Sequence, residues 1–270
     1  MKVLIFTKNW LGDVLFQYPA IQTIRDHHPD AEIVCAAPGR CHELLRAHPA
    51  VDRVLVFDEK REHRSFLARL RFGLTLRAEK FDQGYLLHRS RTRAFLLWLG
   101  AVRERIGYAK GREWFLTKAL QEPAAPVHHV DYFLEMLRRA GLRSFCSDYR
   151  FYCSQKNRER ADALLAENHL HRYACFHLGA NWEPKRWPTG HFAELADRID
   201  QRWGLTVVLT GGPDDRPLAE EVIGQVKNAK VISLIGKTSL GELGRVFEKS
   251  LFVVSGDSGP MHIASGVGAR

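Results

Sequence analysis

Short apolar runs and stretches of helical period alternate along the chain from its first residues to its last. In the first half, Lys2–Thr7 (KVLIFT), Glu32–Ala36 (EIVCA), Arg53–Phe57 (RVLVF) and Gly84–Leu87 (GYLL) have the length and apolar density of buried strands. Between the first two, Val14–Arg25 carries apolar residues at helical spacing, and Val130–Gly141 reads as a long helix. In the second half, Ala174–Leu178, Thr206–Thr210, Val231–Ile235 and Phe252–Val254 take the strand role, with helices over His191–Trp203, Pro217–Val226 and Leu240–Lys249. Such alternation predicts an α/β protein with parallel sheets and helices on both faces. The polar and aromatic stretch SFCSDYRFYCSQKNRER reads as a seam, so domains of 1–154 and 155–270 are expected, with the boundary near Ser154. In parallel sheets ligands bind beyond the carboxyl ends of the strands, which directs attention to the loops that follow them.

With 270 residues, 45% of them hydrophobic, the chain can bury a full core and is too long for one small domain. No apolar run reaches bilayer length, and MKVLIFTKNWLGD is too short in its apolar part for a signal peptide. The five cysteines (Cys35, Cys41, Cys146, Cys153, Cys175) form no CxxC pair, and an odd count argues against a disulfide framework. A reduced, cytoplasmic protein is expected. The net charge of +9 is unevenly placed: residues 1–150 hold 25 Lys and Arg against 17 Asp and Glu, residues 151–270 hold 15 against 14. A basic first half suits an acidic partner, whether nucleic acid, anionic membrane or a phosphorylated or carboxylated substrate. Nucleic acid is opposed by the lack of any recognition motif and of stacking aromatics among the basic residues.

Several motifs are absent. The first strand-to-helix turn has no GxGxxG, and the GKT at Gly236–Thr238 lacks the P-loop glycine, since Val231 stands at that place. There is no GxSxG, no HExxH, no cysteine–histidine set with zinc spacing and no Asp-x-Asp pair at a strand end. What remains lies in loops after strands. In Asn9–Asp13 (NWLGD), Asp13 is either a helix-start acid serving the dipole or a carboxylate placed to act as a general base. In His177–Pro188 (HLGANWEPKRWP), Lys185 and Arg186 are either solvated or neutralise phosphates. Thr210–Pro213 (TGGP) is a flexible turn suited to close backbone contact. In VVSGDSGPMHIASG, Asp257, Ser258 and Gly259 stand between a strand and a helix, with Pro260 at the expected first helical position, which is a cap and also an anion site. After the fourth strand, HRSRTR places Arg89, Arg91 and Arg93 where they either flank a helix over Ala94–Leu99 or grip anionic groups. Lys60, Arg61, Arg64, Arg69 and Arg71 precede Gly73 on a helix-like stretch with Phe66, Leu67 and Leu70 behind them, an amphipathic pattern suited to an anionic membrane surface.

The ordered series NWLGD, HLGA…KRWP, VVLTGGPDD, LIGKTSLGEL and VVSGDSGPMHIA resembles glycosyltransferase family 9, the ADP-heptose:lipopolysaccharide heptosyltransferases, over essentially the whole chain. The resemblance is strongest to the branch that adds the second heptose. It implies a GT-B fold of two Rossmann-like domains facing a cleft, and an inverting, metal-independent transfer from ADP-heptose to the acidic inner core of lipopolysaccharide, with no cofactor. It further implies Asp13 as the catalytic base. Asn181, Lys185, Thr238, Asp257, Ser258, Gly259 and His262 would lie at the donor. The acceptor falls to the first domain, where Arg89, Arg91 and Arg93 are the expected contacts. Lys185 would offset the charge of the leaving diphosphate. The family continues past Arg270 through at least one more strand and a returning helix, so the second domain is expected to be incomplete. A truncated, catalytically silent relative that only binds nucleotide or lipopolysaccharide precursors is the alternative. Peripheral contact with the inner face of the inner membrane is also expected.

Overall fold

In the computed structural model, which describes residues 1–143, 147 and 149–270, the N-terminal apolar run forms β1 (Lys2–Phe6), with Val3 to Phe6 fully buried. Among the described residues the chain divides into two compact units, Met1–Tyr149 and Arg150–Arg270. Ser154 lies inside the second unit, where its hydroxyl accepts a hydrogen bond from the Asn157 amide and caps a helix. Cys146 lies outside the described residues.

In the first unit β1 is followed by α1 (Leu11–Leu15), α2 (Tyr18–His27), β2 (Glu32–Ala37), α3 (His42–Ala47), β3 (Arg53–Val56) and α4 (Phe66–Glu79). Then come β4 (Gln83–Leu86), α5 (Arg91–Leu99), β5 (Glu104–Tyr108), β6 (Lys118–Leu120) and α6 (His129–Ala140). All strand pairs are parallel, in the order β3-β2-β1-β4-β5-β6. The chain builds outward from β1 in one direction and then, from β4, in the other. The carboxyl ends of β1 and β4 therefore flank the crevice where such sheets bind ligands.

The helix expected over Val14–Arg25 is broken into α1 and α2 around Gln17. Gln17 is fully buried: its Oε1 accepts from the Lys8 amide at 3.0 Å and its Nε2 donates to the Leu87 carbonyl at 2.7 Å. A side chain there ties the ends of β1 and β4 together, and the backbone bends to admit it. The basic stretch also differs from expectation. Lys60, Arg61 and Arg64 precede α4, whose cap is Ser65, and Gly73 continues the helix. A Cβ on Gly73 would come within 2.4 Å of Leu99 Cδ2, so glycine serves the packing of α4 on α5. Phe66 (67% exposed) and Leu67 (65%) face solvent, while Phe72 and Leu76 are the inward residues.

The second unit runs α7 (Gln155–Glu167), β7 (Tyr173–His177), α8 (Thr189–Trp203), β8 (Thr206–Thr210), α9 (Arg216–Gln225) and β9 (Val231–Ser233). It continues through α10 (Leu240–Lys249), β10 (Val253–Ser255) and α11 (Gly259–Gly266). Its parallel sheet has the order β10-β7-β8-β9, so the change of direction falls between β7 and β10. Phe176, Phe192, Ile199, Val207, Leu209 and Val222 form the core between β7, β8 and the helices α8 and α9.

Candidate functional site

In the first unit the loop after β1 is held by Arg93. This side chain, expected to reach an acceptor, is fully buried in α5. Its guanidinium donates to the Thr7 carbonyl, to Asn9 Oδ1 at 2.5 Å and to Glu59 Oε2 at 3.2 Å, and it lies over the rings of Phe6 and Phe57. The sequence puts Arg93 in the loop after β4, free to grip an acceptor or flank a helix; the structure instead seals it beneath the loop after β1. Burial follows from helical spacing, since Arg93 shares the inward face of α5 with Ala94, Leu96 and Leu97. The loop so fixed leads to Asp13 in the first turn of α1, where the acid also suits the helix dipole. The Asp13 carboxylate stands 3.7 Å from Nδ1 of His129, the first residue of α6.

Arg89 and Arg91 fall in different surroundings from Arg93. Arg89 lies over the Tyr132 ring, donates to the Tyr132 hydroxyl at 3.0 Å and pairs with Glu122 at 3.1 Å. The exposed Arg91 packs its guanidinium over Gly111, whose backbone has φ of +80°. A pocket of about 370 Å³ opens beside Arg89, walled by Pro123 to Val127, with Lys8, His129 and Tyr132 on its lining. Beneath it a narrow recess is lined by Lys8, His88, Arg89 and Arg112. Two buried nitrogens there, His88 Nδ1 and Arg112 Nη2, have no hydrogen-bond partner. Burial first, then the nearby charges of Arg93, Lys8 and Arg112, pushes the His88 imidazole down to about 3. Lys8, His88, Arg112 and Tyr132 were not singled out from the sequence, because lone cations and aromatics at strand ends carry no motif.

In the second unit the loops after β7 and β10 meet. Lys185 Nζ donates to Asp257 Oδ2 at 2.5 Å, and this bond holds the Asp257 carboxyl below the usual carboxylate range. Gly256 is required for that approach, since a Cβ there would lie 2.4 Å from the Lys185 carbonyl oxygen. Ser258 precedes α11 without capping it, and its buried hydroxyl has no partner. Gly259 opens the helix, which makes Pro260 the second helical residue, and the half-buried His262 lies one turn on and lowers the Asp257 carboxyl further. Asn181 is exposed in the same loop as Lys185. Arg186 donates to the Ala180 carbonyl at 3.0 Å and so braces that loop. A pocket of about 360 Å³ lies along Pro184 to Trp187 and Val254 to Gly256. Thr238 stands apart from this corner: it follows β9, which β8 separates from β7. Asp215, which drew no notice in the sequence, explains two glycines at once, Gly179 and Gly211. Its carboxylate accepts from the Gly212 amide at 2.8 Å and occupies the space that a Cβ on Gly179 or Gly211 would need. Among the described residues no group of three or more His, Cys, Asp or Glu is placed to hold a metal ion, and no helix is long and apolar enough to cross a membrane.

Known proteins resemble the chain over nearly its whole length. Lipooligosaccharide heptosyltransferase 2 of Haemophilus influenzae is 27% identical, covering 99% of this chain and 81% of its own length. Lipopolysaccharide heptosyltransferase 2 of Escherichia coli K12 is 24% identical over 98% of this chain and 80% of its own. A solved family 9 glycosyl transferase from Veillonella parvula superposes with a TM-score of 0.90 at 23% identity, covering 100% of this chain and 79% of that one. The E. coli ADP-heptose LPS heptosyltransferase II superposes at 0.81 with 24% identity, over 100% and 83%. The fold is thus the α/β, GT-B type that the sequence predicts. The model of glycosyltransferase family 9 (heptosyltransferase) matches residues 69–270, three quarters of the molecule, and the chain belongs to that family.

Proposed function

We propose that the chain is an inverting, metal-independent heptosyltransferase that moves L-glycero-D-manno-heptose from ADP-heptose to the acidic inner core of lipopolysaccharide. The observation that carries this reading is the β7/β10 corner. A lysine, an aspartate and an unpartnered buried serine hydroxyl converge there at the start of an eight-residue helix. The amino end of that helix and Lys185 favour a diphosphate, and Asp257 suits sugar hydroxyls. Support also comes from an E. coli heptosyltransferase of the same fold that was solved with ADP and with ADP-2-deoxy-2-fluoro heptose. As the sugar transfers, the acceptor oxygen bonds to the anomeric carbon from the face opposite the leaving group. The bond to ADP breaks with its electron pair, and Asp13 takes the hydroxyl proton. Lys185 offsets charge on the departing diphosphate, the task a metal performs elsewhere. Asn181, Gly259 and His262 line the donor corner, and Thr238 approaches the nucleotide from the loop before α10.

On the acceptor side Arg89 and Lys8 offer cations to phosphate or carboxylate groups at the mouth of the 370 Å³ pocket. Arg93 acts from below by fixing the loop that carries Asn9, and Arg91, over Gly111, is the remaining candidate contact. Solvent-facing Phe66 and Leu67 beside Arg64, Arg69 and Arg71 support a peripheral position at the cytoplasmic face of an anionic membrane. Calorimetry with ADP, run beside turnover of ADP-heptose, tests the assignment. Lys185→Ala should weaken ADP binding by roughly 10-fold or more, as loss of a charge-assisted contact predicts. Asp13→Asn should keep ADP affinity and lose about 10² to 10⁴ in rate. Chelator should change neither. ADP binding by the unsubstituted chain without turnover would instead assign the silent relative.

A further inference from the structure

We propose that His129 is the proton exit for Asp13, a positioning and relay residue that this family reading does not itself include. The inference rests on Asp13 being the base. The carboxylate and the imidazole come from separate elements, α1 and the start of α6, yet Asp13 Oδ1 and His129 Nδ1 are 3.7 Å apart. That separation is a small rotation from a hydrogen bond, and catalytic pairs commonly tighten only when substrate is bound.

The imidazole is held rather than loose. The Phe16 ring, at the end of α1, lies 5.6 Å from the His129 ring in a tilted contact and packs edge-on against His128 at 5.2 Å. His128 is itself fixed, because its Nδ1 accepts from the Val130 amide and caps α6. His129 is also open on its far side: its side chain is 59% exposed and lines the 370 Å³ pocket with Lys8 and Arg89. The ring thus has Nδ1 near the carboxylate and one contact with Phe16, with more than half of the side chain open to water.

The proton balance explains why such a group is useful. Transfer leaves Asp13 protonated once the acceptor hydroxyl has lost its proton and ADP has departed with the electron pair. The next turnover requires Asp13 as a carboxylate. His129, as the Nε2–H tautomer, takes the proton at Nδ1, and the imidazolium gives its Nε2 proton to water. Proton exchange with water then returns the ring to the Nε2–H tautomer for the next cycle. Lys8 and Arg89, which share that pocket, are donors only and offer no lone pair for the proton.

The test uses the full 270-residue chain with ADP-heptose and deacylated inner-core acceptor. His129→Gly should lower kcat by about 10-fold or more with both KM values within about twofold, and added imidazole should restore most of the loss. His129→Gln, which keeps the bulk but cannot carry a proton, should be as slow and should not respond to imidazole. In combination with Asp13→Asn, His129→Gly should slow the reaction no further, because the two act in series. An unchanged kcat in His129→Gly overturns the relay. A fall that imidazole does not restore, or one that multiplies with the Asp13→Asn effect, overturns it as well, and leaves His129 as packing or acceptor contact. Wild-type turnover by Asp13→Asn removes the base reading itself, an outcome distinct from all of these.

Discussion

Arg93 shows how far one side chain can depart from the role its neighbours suggest. Three arginines within five residues read alike in sequence, yet one is exposed over a glycine, one lies on a tyrosine at a pocket mouth and one is sealed in the core. Removing the sealed one leaves the Thr7 carbonyl without its guanidinium donor, while the part-exposed Glu59 keeps the Ser90 hydroxyl. Arg93→Met is therefore expected to cost about 1–3 kcal/mol in urea unfolding, the cost of leaving a buried acceptor unmet. Arg89→Met should leave the unfolding midpoint within error and act on acceptor KM instead. An Arg93→Met protein as stable as the parent would show that the network contributes nothing. The candidate site was legible where residue type and place coincide, as with Lys185 and Asp257 in loops after strands. It was not legible for His129, Tyr132 or Lys8, whose relevance depends on which strands and helices become neighbours.

At the scale of elements, the strand ends carry the candidate site, and glycines decide how closely its loops approach. The loop after β10 passes under the loop after β7 at Gly256, where the obstacle to a side chain is backbone. Gly256→Ala should push the Lys185 loop outward and weaken ADP by about 10-fold, a change of about 1.4 kcal/mol. Gly224→Ala, in open space on α9, is the control and should leave ADP affinity alone while stabilising the helix by about 0.5–1 kcal/mol. Equal ADP affinity in the two variants would mean the loops can part without consequence. Most elements could be read from periodicity because their apolar residues are continuous: β1, β7, β8 and α10 are found at or within a residue of their expected bounds. Two strands escaped. β5 carries Glu104, Arg105 and Gly107 among its five residues, and β6 is three residues of Lys, Ala and Leu, so neither shows an apolar run. The α1/α2 break was equally hidden, since it is made by the hydrogen bonds of Gln17 and not by a Gly or Pro signal.

At the scale of the whole molecule, each unit buries a neutral histidine that makes stability depend on pH. His48 in the first unit and His177 in the second are both lowered to about 4, in each case chiefly by burial. An unfolded histidine takes up a proton near pH 6.5, so between that value and about 4 the unfolded chain binds more protons than the folded one. Stability is then complete above pH 6.5 and falls as the pH drops. At pH 5 the loss is about 2 kcal/mol for each ring. Urea midpoints at pH 7 and pH 5 check this, and the difference should shrink when both His48→Asn and His177→Asn are introduced. A midpoint that does not move with pH would mean the rings are already protonated in the fold.

The short ion pair between Lys185 and Asp257 has one more implication. Both partners are well exposed, so the bond contributes little to folding and little is lost when it opens. While it is closed, each charge already has a counter-ion. A neutral sugar offers Lys185 no charge in exchange for the carboxylate. A diphosphate does, and in taking the lysine it sets the aspartate free to accept hydrogen bonds from hydroxyl groups. On the reading proposed for this corner, a nucleotide-sugar engages both partners: its anionic half takes the lysine, and the aspartate so released meets the carbohydrate half.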